Sequence, residues 1–193
     1  MATKTGLTRL VKARDAAGVA AALAETPALV SHRDERGRSW LHLSCGSAPS
    51  IDVAAVLVDL GLDVSDAAFT EGTWRATPVW YAVGYGRDLA VARWLLERGA
   101  DPNHSLFAAA WARDLDAIDL LLEFGATLDE VAEGETPFLG AVKVSHFREA
   151  WHLAEAGADV HWRDAKGMTA RDYMTRKRSP REAFDALARF EQR

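Results

Sequence analysis

The hydrophobic positions of this chain fall into short blocks that recur, and each block is closed by a glycine. The blocks are Leu57–Leu60, Leu95–Arg98, Leu121–Phe124 and Leu153–Ala156, followed by Gly61, Gly99, Gly125 and Gly157. Successive glycines of this set are 38, 26 and 32 residues apart. A period of this size is typical of a stacked helical repeat, in which each unit buries its apolar faces only against its neighbours.

One unit is clearest around Thr136. This residue can cap a helix, Pro137 suits the first helical position, and apolar residues follow. A break at residues 143–146 separates this helix from a second one over 147–156, which Gly157 can end in a left-handed conformation. The predicted unit is therefore a helix, a tight turn, a second helix and a glycine-capped loop. Further copies begin at Ser39-Trp40, Thr77-Pro78 and Gly167-Met168.

These segments resemble the ankyrin-repeat family, whose consensus is Thr-Pro-Leu-His-x-Ala followed by a helix that ends in Leu-Leu-x-x-Gly-Ala-Asp. The pattern is carried by residues 77–82, 136–142 and 95–101, and residues 34–38 and 164–168 match the hairpin tip of the family. The resemblance covers nearly the whole chain. It implies an all-α fold, an ankyrin-repeat solenoid of stacked helix–turn–helix units with short hairpin fingers.

The resemblance also implies one ankyrin-repeat domain over residues 1–193. A degenerate N-terminal capping repeat is expected at 6–33, and a C-terminal capping repeat with a terminal helix at 162–193. The repeats expected between the two caps are 34–66, 67–103, 104–128 and 129–161.

The third of these repeats is shorter than the family period. Helical sequence resumes almost directly after Asn103, so we expect its hairpin finger to be missing. The preceding finger, residues 64–76, is long and carries Phe69, Gly72 and Trp74. A long finger beside an absent one is expected to leave a notch in the row.

Aromatic residues near this notch are the predicted partner contacts. Tyr85 and Trp111 fall where the first helix of an ankyrin repeat faces the groove, and Trp74 lies on the long finger. Aromatic anchors of this kind supply much of the affinity of protein interfaces. Charge complementarity at the rim is expected from Arg36, Arg38, Lys143, Arg163 and Lys166. The alternative is that the rings only fill gaps beside alanine-rich stretches such as residues 108–110.

A second hypothesis is a small-molecule site or an enzyme with an aromatic pocket at the shortened repeat. Its walls would be Trp80, Tyr81, His104 and Phe107. Catalytic motifs are otherwise absent from the sequence, and Cys45 falls on a buried helical track where a thiol is inert. The histidine spacing predicts no metal site and no cofactor. A binding protein is therefore favoured over an enzyme, and a structural subunit of a larger complex is a third hypothesis.

Composition narrows the class of partner. The net charge of −5 argues against non-specific nucleic-acid binding, which needs clustered positive charge. The sequence has no apolar run long enough to span a membrane, and its single cysteine fits a reducing compartment. We therefore expect a cytoplasmic scaffold protein whose partner is another protein or peptide, with no role in binding nucleic acid or membrane and with a monomer favoured.

Overall fold

The computed structural model describes residues 1–69 and 74–192, and these fold as short α-helices joined by turns, with no β-strand among them. The fold class is therefore all-α, as the repeat pattern predicts. The chain divides into two compact units, Met1–Ser105 and Leu106–Arg193.

The first unit consists of packed helix pairs. Its helices are α1 (Lys4–Lys12), α2 (Ala16–Glu25), α3 (Trp40–Gly46), α4 (Ile51–Asp59), α5 (Pro78–Tyr81) and α6 (Leu89–Leu96). Within each pair, α1 packs on α2, α3 on α4, and α5 on α6, while α3 also contacts α1 and α5. The first helices of successive pairs are therefore neighbours, and their side chains share one face of the unit.

The second unit repeats the arrangement. Its helices are α7 (Ser105–Ala112), which starts at the last residue of the first unit, α8 (Leu115–Glu123), α9 (Pro137–Lys143), α10 (Phe147–Glu155), α11 (Ala170–Arg176) and α12 (Arg181–Glu191). Here α9 packs on α10 and α11, and α12 packs on α10 and α11. The rings of Trp151 and Phe190 stack 6.0 Å apart where α10 meets α12.

Capping chemistry sets where these helices begin and end. The hydroxyls of Thr77 and Thr136 each accept a hydrogen bond from a backbone N–H three residues later, at 3.3 Å, and a proline follows each threonine. The glycines after the second helices, Gly61, Gly99, Gly125 and Gly157, have φ between +83° and +107°. Because this region is costly for other residues, the recurring glycine is the predicted C-terminal cap.

The long finger of the first unit is described only at its base. Ala68 and Ala76 pair there through two backbone hydrogen bonds of 3.0 and 3.1 Å. Gly72, which the sequence places in this finger, lies outside the described residues. At the next repeat the chain passes from Gly99 to the start of α7 at Ser105, which agrees with the short interval in the sequence.

One carboxylate lies in the core of the second unit. Glu149 on α10 is 1% exposed, and neither of its carboxylate oxygens has a hydrogen-bond partner within the described part of the chain. The guanidinium of Arg113 is 4.0 Å away and is itself largely exposed. The equivalent third helical positions of α4, α6 and α8 carry Val53, Val91 and Ala117, all buried. Glu149 therefore places a carboxyl group at a helix position that is apolar in α4, α6 and α8.

We expect Glu149→Val to raise the free energy of unfolding by about 2 kcal/mol, because it replaces a buried carboxyl group that lacks hydrogen bonds at a position suited to an aliphatic residue. Urea unfolding followed by circular dichroism measures this. The control is Glu155→Val on the same helix, where the exposed side chain should change stability by less than about 0.5 kcal/mol. A less stable Glu149→Val variant would mean that the ion pair with Arg113 outweighs the cost of burial.

Candidate functional site

The hairpin tip before α3 is held by one carboxylate. Asp34 accepts hydrogen bonds from the backbone N–H groups of Arg36 and Arg38, at 2.9 and 3.0 Å. It also accepts from Nε of Arg38 at 2.7 Å and lies 2.6 Å from Nη2 of that residue. Burial alone would raise the pKa of Asp34, but the hydrogen bonds from Arg38 and the backbone outweigh it and lower that pKa. The tip therefore presents Arg38 in a fixed orientation and Arg36 on its exposed side.

A cluster of three aromatic rings faces this tip. Trp80 and Tyr81 lie on α5, and Tyr85 lies on the π-helical turn Ala82–Gly86 that continues it. The rings of Tyr81 and Tyr85 stack with centres 5.5 Å apart, and Trp80 lies 5.2 Å from Tyr81 and 5.4 Å from Tyr85. Tyr81 is 4% exposed whereas Tyr85 is 65% exposed. The π-turn thus directs one ring of a packed stack into solvent, and such turns are frequent at functional sites.

The tip and the rings enclose a cleft that opens to solvent, called here the Tyr85 cleft. Its walls include Arg36, Arg38, Leu43, Ser47, Tyr81 and Tyr85, and the cavity among them has a volume of about 100 Å³. The guanidinium carbon of Arg38 is 5.9 Å from the centre of the Tyr81 ring. A guanidinium beside an aromatic ring can bind a carboxylate while the ring contacts an apolar side chain of the same ligand.

His42 lies at the base of the cleft and has a structural role. It is fully buried, its Nδ1 accepts from the Ser39 backbone N–H at 3.1 Å, and its Nε2 lies 3.1 Å from the Ala76 carbonyl. These contacts assign the proton to Nε2. Burial lowers the pKa of His42 to about 4, against the opposing influence of Asp66. Because both ring nitrogens are engaged inside the protein, His42 links α3 to the next finger and is not available as a general base.

The thiol of Cys45 on α3 is unsuited to catalysis. It is fully buried, and burial raises its pKa to about 12. Only the thiolate is nucleophilic, so this residue is inert near neutral pH. Among residues 1–69 and 74–192, no three His, Cys, Asp or Glu side chains are grouped so that they could hold a metal ion.

Two of the basic residues predicted at the rim of the second unit, Lys143 and Arg163, have side-chain partners within that unit. Lys143 forms an ion pair with Glu135, and its ammonium lies 4.9 Å from the centre of the Tyr173 ring. Arg163 donates to the Gly167 carbonyl at 2.9 Å, and Lys166 is exposed on the same hairpin tip. These contacts hold the basic groups in place but leave Arg163 and Lys166 at the surface.

The other predicted contact and pocket residues differ in exposure. Trp111 on α7 is 44% exposed, and Trp74 on the long finger is half-buried. Of the four predicted pocket walls, Phe107 is 2% exposed and belongs to the core of the second unit. His104 is half-buried with φ of +61° just before α7, which places it at a helix start. The partner-contact and pocket assignments of these residues stay predictions.

Several features of the Tyr85 cleft are missed by reasoning from the sequence. Leu43 and Ser47 both line it, and no binding motif in the sequence marks them. The sequence does not predict the π-turn either, and its only signal is the pair of glycines that flank Tyr85. Gly86 is needed there because a Cβ would lie 2.2 Å from the carbonyl oxygen of Cys45.

Comparison with known proteins supports the fold. The family described as Ankyrin repeat matches residues 74–105. The ankyrin repeat domain of human ASB11 superimposes with a TM-score of 0.75 at 22% identity, covering 98% of this chain and 86% of that one. An ankyrin repeat domain from Acinetobacter baumannii superimposes with a TM-score of 0.74 at 24% identity, covering 98% of this chain and 99% of that one.

One curated relative is similar in sequence. Alpha-latrocrustotoxin-Lt1a of Latrodectus tredecimguttatus is 32% identical over 132 residues, which is 64% of this chain. The chain spans only 9% of the length of that protein.

Within the described residues, every helix is too short or too polar to cross a membrane.

Proposed function

We propose that this chain binds a protein or peptide segment on the face formed by the first helices of its pairs, because it has the ankyrin-repeat fold and ankyrin repeats generally serve as protein–protein interaction modules. In ankyrin repeats this is the concave face. We place the principal contact of the first unit at the Tyr85 cleft. The observation that carries the proposal is the exposure of Tyr85, 65%, at the end of a stack whose other rings are packed.

The packing around Tyr85 favours binding over simple gap filling. An aromatic ring that only filled a gap would be buried as Tyr81 is. Tyr85 instead exposes a large ring with a polar hydroxyl, and the stack beneath limits its rotation. A ring already held in place loses little conformational entropy on binding, so more of the contact energy appears as affinity. Rigid display of this kind is the proposed mechanism of recognition.

Trp111 has the same proposed role in the second unit. It lies on α7, a first helix of that unit, and is 44% exposed. The basic residues proposed for the rim of that unit are Arg163 and Lys166, with Lys143 held by Glu135. Trp74 is the proposed contact on the finger. A cytoplasmic protein partner, with the chain acting as a scaffold, is consistent with a single buried cysteine.

We expect Tyr85→Ala to weaken binding of a selected peptide by about 30-fold, or about 2 kcal/mol, as for a central anchor residue. The ligand is obtained by selecting a random 12-residue peptide display library against the folded protein. Fluorescence anisotropy of the enriched peptide then measures its affinity for each variant. Leu60→Ala is the matched control, because Leu60 is 44% exposed at the end of α4 on a second helix.

The two variants separate the proposal from its alternatives. Tyr85→Ala with unchanged circular dichroism and lost affinity, beside Leu60→Ala with unchanged affinity, supports binding at the cleft. Equal affinity of wild type and Tyr85→Ala contradicts it. Failure of the library to yield any enriched peptide counts against peptide recognition altogether.

A further inference from the structure

Resting on the proposed function, we propose that the segment bound at the Tyr85 cleft is acidic. A carboxylate side chain of the partner is received by Arg36 and Arg38, and a neighbouring apolar side chain lies against Tyr85. The inference names the chemistry of the partner, a peptide segment with Asp or Glu beside a hydrophobic residue.

Arg38 is prepared for such a contact. Asp34 takes the donors on its Nε and Nη2 and fixes the plane of the guanidinium, which lies beside the ring of Tyr81. A guanidinium has five N–H donors, so one carboxylate does not exhaust it, and its fork matches a second carboxylate. Arg38 is about one quarter exposed and its charge is balanced by Asp34, so its contribution to a ligand is a hydrogen bond from its remaining donors in a partly desolvated site.

Arg36 supplies a second positive charge with freedom to adapt. Its backbone N–H is anchored by Asp34, whereas its side chain is exposed and lines the cleft. Among the described residues that line the cleft, two are arginines and none is Asp or Glu. The neighbouring depression on the same tip has both signs of charge, since Asp34 and Glu35 line it beside Lys4 and Arg33, and Arg33 is paired with Asp66. The cleft itself is lined by positive side chains, of which Arg38 is balanced by Asp34, in a protein whose net charge is −5.

A peptide fits these features better than a nucleic acid does. Nucleic-acid binding requires positive charge extended along several phosphates, and the overall negative charge of the chain opposes a polyanion. The cleft instead offers two arginines next to an aromatic ring, around a cavity of about 100 Å³. One carboxylate side chain matches that size, its apolar neighbour would lie against the exposed ring of Tyr85, and charge complementarity would set specificity and the rate of association.

The first test is the composition of peptides that the display library yields. We expect the enriched sequences to carry more Asp and Glu than Lys and Arg. The best peptide is then synthesised with every acidic residue changed to the corresponding amide, and affinity is expected to fall about 10-fold or more. Raising the NaCl concentration from 50 to 300 mM should lower the affinity of the acidic peptide and leave the affinity of the amide version nearly unchanged.

The second test changes the protein. We expect Arg36→Glu to lower the affinity for the acidic peptide about 10-fold, and Arg36→Lys to retain most of that affinity. Arg98→Glu is the matched control: Arg98 is an exposed arginine just after α6, stacked on Trp94, and its reversal should change affinity less than about 2-fold. An effect of Arg98→Glu equal to that of Arg36→Glu would reduce the result to net charge and overturn the inference.

The outcomes distinguish the partner chemistry from the proposed function itself. Neutral or basic peptides whose binding is lost in Tyr85→Ala would overturn the acidic partner and leave peptide binding standing. A 12-nucleotide oligothymidylate that binds as tightly as the acidic peptide, and is lost in Arg36→Glu, would overturn the inference in favour of a general polyanion site. Absence of any enriched peptide would overturn both.

Discussion

Acidification from pH 7 to pH 4 is expected to lower the free energy of unfolding by about 3 kcal/mol through His42 alone. The pKa of this buried imidazole is lowered from 6.5 to about 4 in the folded protein. Between these values the unfolded chain binds a proton that the folded protein excludes. The contribution of His42 to the free energy of unfolding is therefore fully present above pH 6.5 and is lost as the pH drops towards 4. Below pH 4 this group causes almost no further loss of stability.

Other groups act in a lower window. The folded-state pKa values of Asp34, Asp164 and Asp172 are held below the ordinary value of 3.8, and that of Glu191 below 4.5, by hydrogen bonds and ion pairs. Their contributions are present above those ordinary values and are lost only as the pH falls below them. The interval between pH 6.5 and 5 therefore reports mainly on His42, with a smaller contribution of the same sign from His32, whose pKa is lowered by burial and by Lys4.

Urea unfolding at a series of pH values measures this dependence. His42→Gln is expected to be less stable at pH 7 and to have a flatter profile between pH 6.5 and 5. His161→Asn is the control, because it removes one histidine from an exposed position and leaves the core contacts of His42 intact. A wild-type stability that stays constant from pH 7 to pH 5 would contradict the burial of a neutral imidazole at this position.

Gly86→Ala is expected to destabilise the protein by about 3 kcal/mol, because the added methyl group has no space. Its Cβ would lie 2.2 Å from the carbonyl oxygen of Cys45 and 2.9 Å from a ring carbon of Pro49. The first of these atoms belongs to the backbone of α3, so relief requires α3 and the π-turn to separate. The stack of Tyr81 and Tyr85 is carried by this turn and should loosen with it.

Thermal and urea unfolding of Gly86→Ala give the size of the effect. Gly140→Ala on α9 is the matched control, because its Cβ would make ordinary contacts of 3.6 Å with the ring of Phe107. Replacing a helical glycine by alanine without a clash should raise the free energy of unfolding by about 0.5–1 kcal/mol. Equal stability of the wild type and Gly86→Ala would show that α3 and the π-turn do not approach as closely as described.

Local chemistry made the helices and their ends predictable. Thr136 with Pro137 starts a helix, and Gly157 ends the next, through interactions that span only a few residues. The exposure of Tyr85 and Trp111 followed from their register within a repeat. Because the period carries both the fold and the register, the sequence is enough for these features.

The cleft and the buried charge could not be predicted in the same way. Arg38 meets Tyr81 across 43 positions of the chain, and Gly86 meets Cys45 across 41, so their distances depend on how neighbouring helix pairs pack. Glu149 occupies a position where other pairs carry valine or alanine, but a polar residue there reads equally well as an exposed one. The glycines that flank Tyr85 indicate a turn, but they do not indicate that the turn is π-helical.

The central claim, recognition at the Tyr85 cleft, is tested most directly by mapping the binding surface with ¹⁵N-edited NMR during titration with the best display-selected peptide. We predict that the largest shift changes in the first unit fall on Arg36, Arg38, Leu43 and Tyr85 and vanish in Tyr85→Ala. Changes confined to the second helices α4 and α6, with the cleft residues unmoved, would contradict it.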